Sequence, residues 1–399
     1  MLRLLHYPVL QIYRKFYFII ARLLCHAARK ELAAEAKDLL FVRNDCLGDF
    51  VCSLPLLDAL SRHVHRRGGR VVIVVSPQQG GLARRCGIFD AVLELSIRQG
   101  HSLRCYRGTR KLLRGGMAEY RFREAVLGIM RPMTGNDLLM SAAPAAERIR
   151  IAGYYDDDCV DMAKPHAPYT RFYRYRHGAS IQQNDLSFYE FITGEKPQLR
   201  PYAEYMPRLT AAEIAALPVI PPRCLAIVPG ASRAFRRWPP ERFAAIARWW
   251  LAENPENTVA ILGSANEQGL AQEVTAAIPA AAAARVTDLS GRTNLLELAG
   301  ALPRFAAMVS NDTGTAHFAQ CYDVPAVVVL SGVDYGLFWP NPLYKNGYCV
   351  NVSDHHCFGC HGRCRYSGDD SRPFPCVAGI PESAVLEQLK KVLLCRKLL

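Results

Sequence analysis

Four stretches of this 399-residue chain combine residue types that could do chemistry. The first is FVRNDCLGDFVCSLPLL, residues 41–57, where Asp49 follows Gly48 at the entry to an amphipathic run. A carboxylate there can cap a helix, or it can take a proton from an attacking hydroxyl as a general base. The second is VPGASRAFRRWPPERF, residues 228–243. Its small residues let a diphosphate approach the backbone, and Arg233, Arg236 and Arg237 can grip phosphate oxygens two at a time. A solvated basic loop is the plainer alternative. The third is SNDTGTAHFAQ, residues 310–320, which reads as a strand end, a Thr313-Gly314 turn and a helix start. Free N–H groups at such a start attract anions, and His317 in the first turn could face the same anion. Asp312 as a simple helix cap beside a surface histidine is the alternative. The fourth is a run of thiols, Cys357, Cys360, Cys364 and Cys376, spaced C-x2-C-x3-C-x11-C with His355, His356 and His361 among them. Such spacing suits a structural zinc or iron site, and a disulfide or unliganded thiols are the other readings.

The elements around these stretches must hold them at strand ends. KDLLFVR, RVVIVVS and AVLELS are predicted strands, and the run from Asp49 to His65 a helix ended by Gly68-Gly69. An aperiodic, proline-rich stretch, roughly Pro197 to Arg223, interrupts the pattern. Strands then recur at CLAIVPG, TVAILGS, RVTDLSG, AAMVSND and PAVVVLSG, with helices between them. Alternation of this kind means parallel sheets covered by helices on both faces. Two such blocks predict an α/β chain of two doubly wound domains facing each other across a cleft, with ligands beyond the carboxyl ends of the strands. The predicted boundaries are a basic N-terminal segment 1–37, an N-terminal domain 38–205, a linker 206–222, a C-terminal domain 223–380 containing the 357–376 cysteine cluster, and a terminal helix 381–399.

Half of the residues are hydrophobic, enough for two sizeable cores, and the formal net charge of +13 favours an anionic partner. No recognition-helix pattern, RNA-binding signature or zinc-finger spacing is present, so nucleic acid is not expected. From Met1 to Lys37 there are seven Lys or Arg against two Glu, with Tyr13, Phe16, Tyr17, Ile20 and Leu24 on one helical stripe. That segment suits a helix lying on an anionic membrane surface, or an ordinary helix docked on the protein. Its apolar run is too short to span a bilayer. Without a secretory cleavage pattern, the expected setting is cytoplasmic and reducing, with peripheral contact to the inner face of the inner membrane. The basic stretch 101–131, with eight Lys or Arg against two Glu, could meet an anionic acceptor or simply be solvated.

In order, R-x-D-x-x-G-D (Arg43–Asp49), AERIRIAGY (Ala146–Tyr154), PGAS…RRWP and NDTGTAHFAQ resemble glycosyltransferase family 9, the lipopolysaccharide heptosyltransferases. The resemblance covers most of the chain, from about Leu39 to Leu394. It implies the GT-B fold of two Rossmann-like domains. It implies Asp49 as the catalytic base with Gly48 in the active-site loop, and Arg236 as a contact to the donor diphosphate, where relatives often carry lysine. It implies that Asp312, Thr313, Gly314 and His317 hold the nucleotide-sugar, that Ser232 lies in the phosphate loop, and that Asp288 is an acidic contact to the ribose. A similar cysteine cluster precedes the final helix in many relatives. The activity implied is inverting transfer of heptose from ADP-heptose to a lipopolysaccharide core acceptor, an anionic glycolipid, with no metal in the chemistry. A protein acceptor of the autotransporter type, another nucleotide-sugar, and a non-catalytic nucleotide-sugar-binding protein are the alternatives.

Overall fold

The structure, a computed structural model, describes residues 36–96, 108–109, 111–129, 134–152, 169–176, 178–351, 357–360, 364–366 and 369–398. The basic N-terminal helix predicted within residues 1–37 and the three histidines of the cysteine cluster lie outside the described residues. Among the described residues, no helix is long and apolar enough to cross a membrane.

The chain divides into two compact units. The first contains a parallel sheet ordered β3-β2-β1-β4-β5-β6: β1 (Asp38–Arg43), β2 (Val71–Val75), β3 (Ala91–Glu94), β4 (Phe122–Leu127), β5 (Ala145–Ala152) and β6 (Arg171–Arg174). Every residue of β1 and β2 is buried, as expected for strands covered on both faces. Leu40, Val42, Val74, Phe122 and Leu139 lie in one core, the last from the helix Thr134–Ala142. The second unit contains a parallel sheet ordered β12-β11-β10-β7-β8-β9: β7 (Cys224–Val228), β8 (Thr258–Ile261), β9 (Val286–Asp288), β10 (Ala307–Asn311), β11 (Ala326–Val329) and β12 (Gly347–Val350). Trp238, Phe243 and Trp250 pack there on Leu225, Ile227 and Val309. The strand order reverses between β1 and β4 in one sheet and between β7 and β10 in the other. Crevices at such reversals bind ligands in doubly wound folds. The turn before Asp49, the arginine loop and the Asp312–Thr313 turn all begin at the carboxyl ends of these strands.

Several predicted elements differ. The helix expected from Asp49 to His65 is two, α1 (Leu47–Cys52) and α2 (Leu54–Arg66). Ser53 ends α1, its hydroxyl donating to the Phe50 carbonyl at 2.8 Å. Pro55 falls in the first turn of α2, where its missing N–H needs no partner. Strand β4 lies inside the stretch taken as a basic surface segment. Its Glu124 is buried because Arg67 and Arg123 pair with it. The units also divide differently from the predicted boundaries. Cys46–Pro55 and Gly178–Gln183 belong to the second unit, which resumes at Arg200. Helix α1 leaves the sheet that precedes it because it docks on α3 (Gly314–Gln320), the helix after β10. Two glycines meet there: a Cβ on Gly314 would lie 2.9 Å from the Gly48 nitrogen.

Candidate active site

The second unit assembles the site from α1 and the ends of β7 and β10. Asn311, the last residue of β10, ties the strand ends together. Its side-chain amide donates to the carbonyls of Pro229 (2.8 Å) and Gly230 (3.3 Å), and its oxygen accepts from the Trp238 amide at 2.9 Å. This fixes the loop from Pro229 to Trp238 at both ends. Arg237 closes it further by donating to the Ala231 carbonyl at 3.0 Å. Of the three arginines, Arg237 is therefore committed to the loop, Arg233 is exposed, and Arg236 points inward.

Arg236 pairs with Asp334 and lies 3.9 Å from Asp312. Thr313, not Asp312, caps α3, its hydroxyl accepting from the Ala316 amide at 3.2 Å. The Asp312 carboxylate is thereby left for Arg236 and for His317 Nε2, at 3.4 Å. Burial works to raise the Asp312 pKa, but the His317 contact and the Arg236 charge outweigh it and hold the carboxyl below the usual range.

His317 does not face outward. It is buried beneath residues of the loop after β11. Its ring stacks on Trp339 at 4.9 Å between centroids, and its Nδ1 lies 2.9 Å from the Tyr344 hydroxyl. Burial opposes a charge on this imidazole, whereas Cys52, if ionised, and Asp312 favour one and together raise its pKa to about 10. The Trp339 indole N–H, which can only donate, lies 3.1 Å from Nε2 and is shared with the Asp312 carboxylate.

Asp49 is the third residue of α1 and half-buried. The cap position is Cys46, which makes no side-chain capping bond, so Asp49 is a first-turn carboxylate and not the cap. Gly48 lies against α3: a Cβ there would meet the Gly314 Cα at 3.3 Å and the His317 ring at 3.2 Å. Ser232 is exposed on the arginine loop. Asp288 ends β9 and accepts the Ser290 amide at 2.8 Å and the Ser290 hydroxyl. Thus Asp49, Gly48, Arg236, Asp312, Thr313, Gly314 and His317 come together in one unit, while Asp288 lies two strands away and is occupied locally.

Three groups escaped the sequence reading. Asn311 stood inside a quoted motif but was passed over as a strand end. Asp334 comes from a loop with no periodic signal. Glu267 accepts the Ser264 amide at 2.8 Å and packs against Gly230, which places a carboxylate beside the arginine loop.

The cysteine cluster adjoins the same loop. Phe374 stacks on Phe235 at 4.6 Å, and its amide donates to the Phe235 carbonyl at 3.0 Å. Cys360 and Cys364 pack near Cys376, whose Sγ accepts from the Gly332 amide at 3.3 Å. Burial, with the neighbouring thiols, raises the Cys376 pKa. None of the four cysteines is disulfide-bonded, so the disulfide reading does not hold. Among the described residues, no group of three or more His, Cys, Asp or Glu is arranged to hold a metal ion, so the predicted zinc or iron set does not close as placed.

The arrangement offers a carboxylate on one short helix, docked against a second helix that follows β10, with a paired arginine on the loop after β7. Comparison with known proteins gives this arrangement a context. The family described as glycosyltransferase family 9 (heptosyltransferase) matches residues 144–366. A lipooligosaccharide heptosyltransferase 2 of Haemophilus influenzae is 29% identical over 94 residues, which cover 24% of this chain and 27% of that protein. A glycosyl transferase family 9 structure from Veillonella parvula superposes with a TM-score of 0.69 at 14% identity, covering 91% of this chain and 98% of that one. The structure of Escherichia coli ADP-heptose lps heptosyltransferase II superposes with a TM-score of 0.66 at 16% identity, covering 90% and 99%. These two likenesses establish the fold, GT-B with two Rossmann-like domains.

Proposed function

This chain belongs to glycosyltransferase family 9, and from that premise we propose that it is an inverting transferase moving heptose from ADP-heptose to a lipopolysaccharide core acceptor. The observation that carries the reading is the docking of α1 on α3, which puts Asp49 in the same compact unit as Arg236 and Asp312. The names of its relatives support the sugar, the donor and the lipid acceptor.

In this reading the donor diphosphate lies over the ends of β7 and β10. Arg236 presents guanidinium N–H groups to its oxygens. It has five donors, so it can hold a carboxylate and a phosphate together. Asp49 accepts the proton of the acceptor hydroxyl as the oxygen attacks the anomeric carbon. Attack comes from the face opposite the departing diphosphate, and the configuration inverts. Arg236 stabilises the charge that develops on the leaving group. His317, being buried, acts through Asp312 and not on the diphosphate. These residues supply the base and the cation without calling on a metal.

Two measurements test the reading. Thermal shift with ADP, UDP and GDP is expected to respond to ADP. Asp49→Ala is expected to keep ADP binding and to lose about 10²-fold or more in turnover. Stabilisation by UDP or GDP instead would replace the donor, and normal turnover in the variant would remove Asp49 from the chemistry.

A further inference from the structure

The burial of His317 gives it and its neighbours a use other than gripping the donor. Helix α1 meets its surroundings in the second unit at two points four residues apart. The first is the backbone contact between Gly48 and Gly314. The second is Cys52. Its Sγ lies 3.5 Å from His317 Nδ1 and 3.5 Å from the Tyr344 hydroxyl. The Tyr202 hydroxyl holds the Cys52 carbonyl at 3.1 Å, and the Tyr202 ring packs on Tyr344 with centroids 5.3 Å apart. Positions four apart share one helix face, so Gly48 and Cys52 define the docked face. Asp49 follows Gly48 and projects about 100° further round the helix. Any roll of α1 on that face swings the Asp49 carboxylate.

The contacts form one buried chain. His317 Nδ1 lies 2.9 Å from the Tyr344 hydroxyl, and both groups reach the Cys52 sulfur at 3.5 Å. Sulfur is a weak acceptor in water, but Cys52, His317 and Tyr344 are buried, where each such contact counts for more.

We propose that Cys52 is a positioning residue for glycosyl transfer: held by Tyr344 and His317, it sets the roll of α1 and hence where the Asp49 carboxylate stands relative to α3 and the arginine loop. Cys52 touches no substrate in this role. The inference rests on the reading of Asp49 as the base.

Three full-length variants test it: Cys52→Ala, Cys52→Ser and Tyr344→Phe. Turnover is followed as ADP released from ADP-heptose with a truncated lipopolysaccharide lacking the accepted heptose. Donor affinity is followed by ADP titration, and the hold on α1 by amide hydrogen exchange of residues 47–52. Cys52→Ala and Tyr344→Phe are expected to lower kcat by about 10- to 100-fold, the scale of a slightly misplaced group. ADP affinity should stay within about twofold, because the loss lies in the transition state and not in donor binding. Exchange across 47–52 should quicken. Cys52→Ser, which keeps a hydrogen-bonding group in place, should recover most of the rate. Unchanged kcat and exchange in Cys52→Ala would overturn the proposal. So would a fall in ADP affinity parallel to the fall in kcat, which would place Cys52 in the donor site. Should the wild-type protein release no ADP, the transfer reading itself fails, and exchange alone decides whether Cys52 holds α1.

Discussion

Arg236 meets Asp334, whose side chain is only 2% exposed, and faces Asp312 at 3.9 Å. Removing the guanidinium would take a cationic partner from that buried carboxylate, at a cost on the order of 3 kcal/mol. Arg236→Ala therefore confounds binding with folding. Arg236→Lys keeps a cation for Asp334 but loses the planar fork that can hold two partners at once. We expect Arg236→Lys to melt close to the wild type yet bind ADP about tenfold more weakly, the loss of roughly 1.4 kcal/mol. Unchanged ADP affinity in that variant would take Arg236 out of the diphosphate site. Asp185, in the first unit, gives a prediction in pH. Burial raises its carboxyl to about 7, while the Tyr175 hydroxyl donating at 2.6 Å and the Arg43 charge offset only part of that rise. The unfolded carboxyl titrates near 4. Between these values the folded state binds more protons, so stability is full below about pH 4 and is lost as the pH rises through about 7. From pH 5 to pH 8 the loss is on the order of 2 to 3 kcal/mol. Asp185→Asn removes that titration. Urea midpoints at pH 5 and pH 8 should converge in the variant relative to the wild type, and an equal separation in both would refute the assignment.

Among the elements, the α1–α3 contact is the one whose geometry bears on both stability and chemistry. A Cβ on Gly314 would lie 2.9 Å from the Gly48 nitrogen and 3.0 Å from the Leu47 Cβ, so Gly314→Ala must push α1 outward. Overpacking of this kind costs about 1 to 3 kcal/mol. A methyl on Gly269, in the helix Gln268–Ala276, meets nothing within 4 Å, and Gly269→Ala should change stability by no more than about 1 kcal/mol. Turnover should fall in the first variant and not in the second, and equal turnover in both would mean that the helix contact is not tight. The same elements show what the sequence disclosed. Strands β1, β2, β7, β10 and β11 were legible because their apolar runs are nearly continuous. Strand β4 was not, because Arg123 and Glu124 break its run and a tertiary partner, Arg67, makes the buried charge tolerable. The motif residues of the site were legible as types and spacing. The inward turn of His317 was not, because Trp339 and Tyr344 cover it from a loop without periodicity. The role of Asp334 and the docking of α1 were hidden for a related reason: each depends on a contact far away in the chain.

For the whole molecule, the path of the chain limits how its parts can unfold. The second unit is made of residues 46–55, 178–183 and 200–399, so the first unit's sequence is interrupted twice by segments that belong elsewhere. Helix α1 is continuous with β1 before it and leads directly into α2 after it. If the first unit melts, both ends of α1 lose their anchors, and the contacts of Cys52 with His317 and Tyr344 must be kept by a six-residue helix alone. A helix of that length is unstable without packing. If the second unit melts, the turn that starts at the carboxyl end of β1 loses its anchor. Chains of this size with two domains commonly unfold in stages. Here the interleaving opposes that, and calorimetry of the full chain is expected to show one transition. ADP at about 100 times its dissociation constant should shift that whole transition by an amount equivalent to about 2.7 kcal/mol. Two resolved transitions, with ADP moving only one of them, would show that α1 does not couple the units, and the helix carrying Asp49 would then be free to leave α3 while the rest of the chain stays folded.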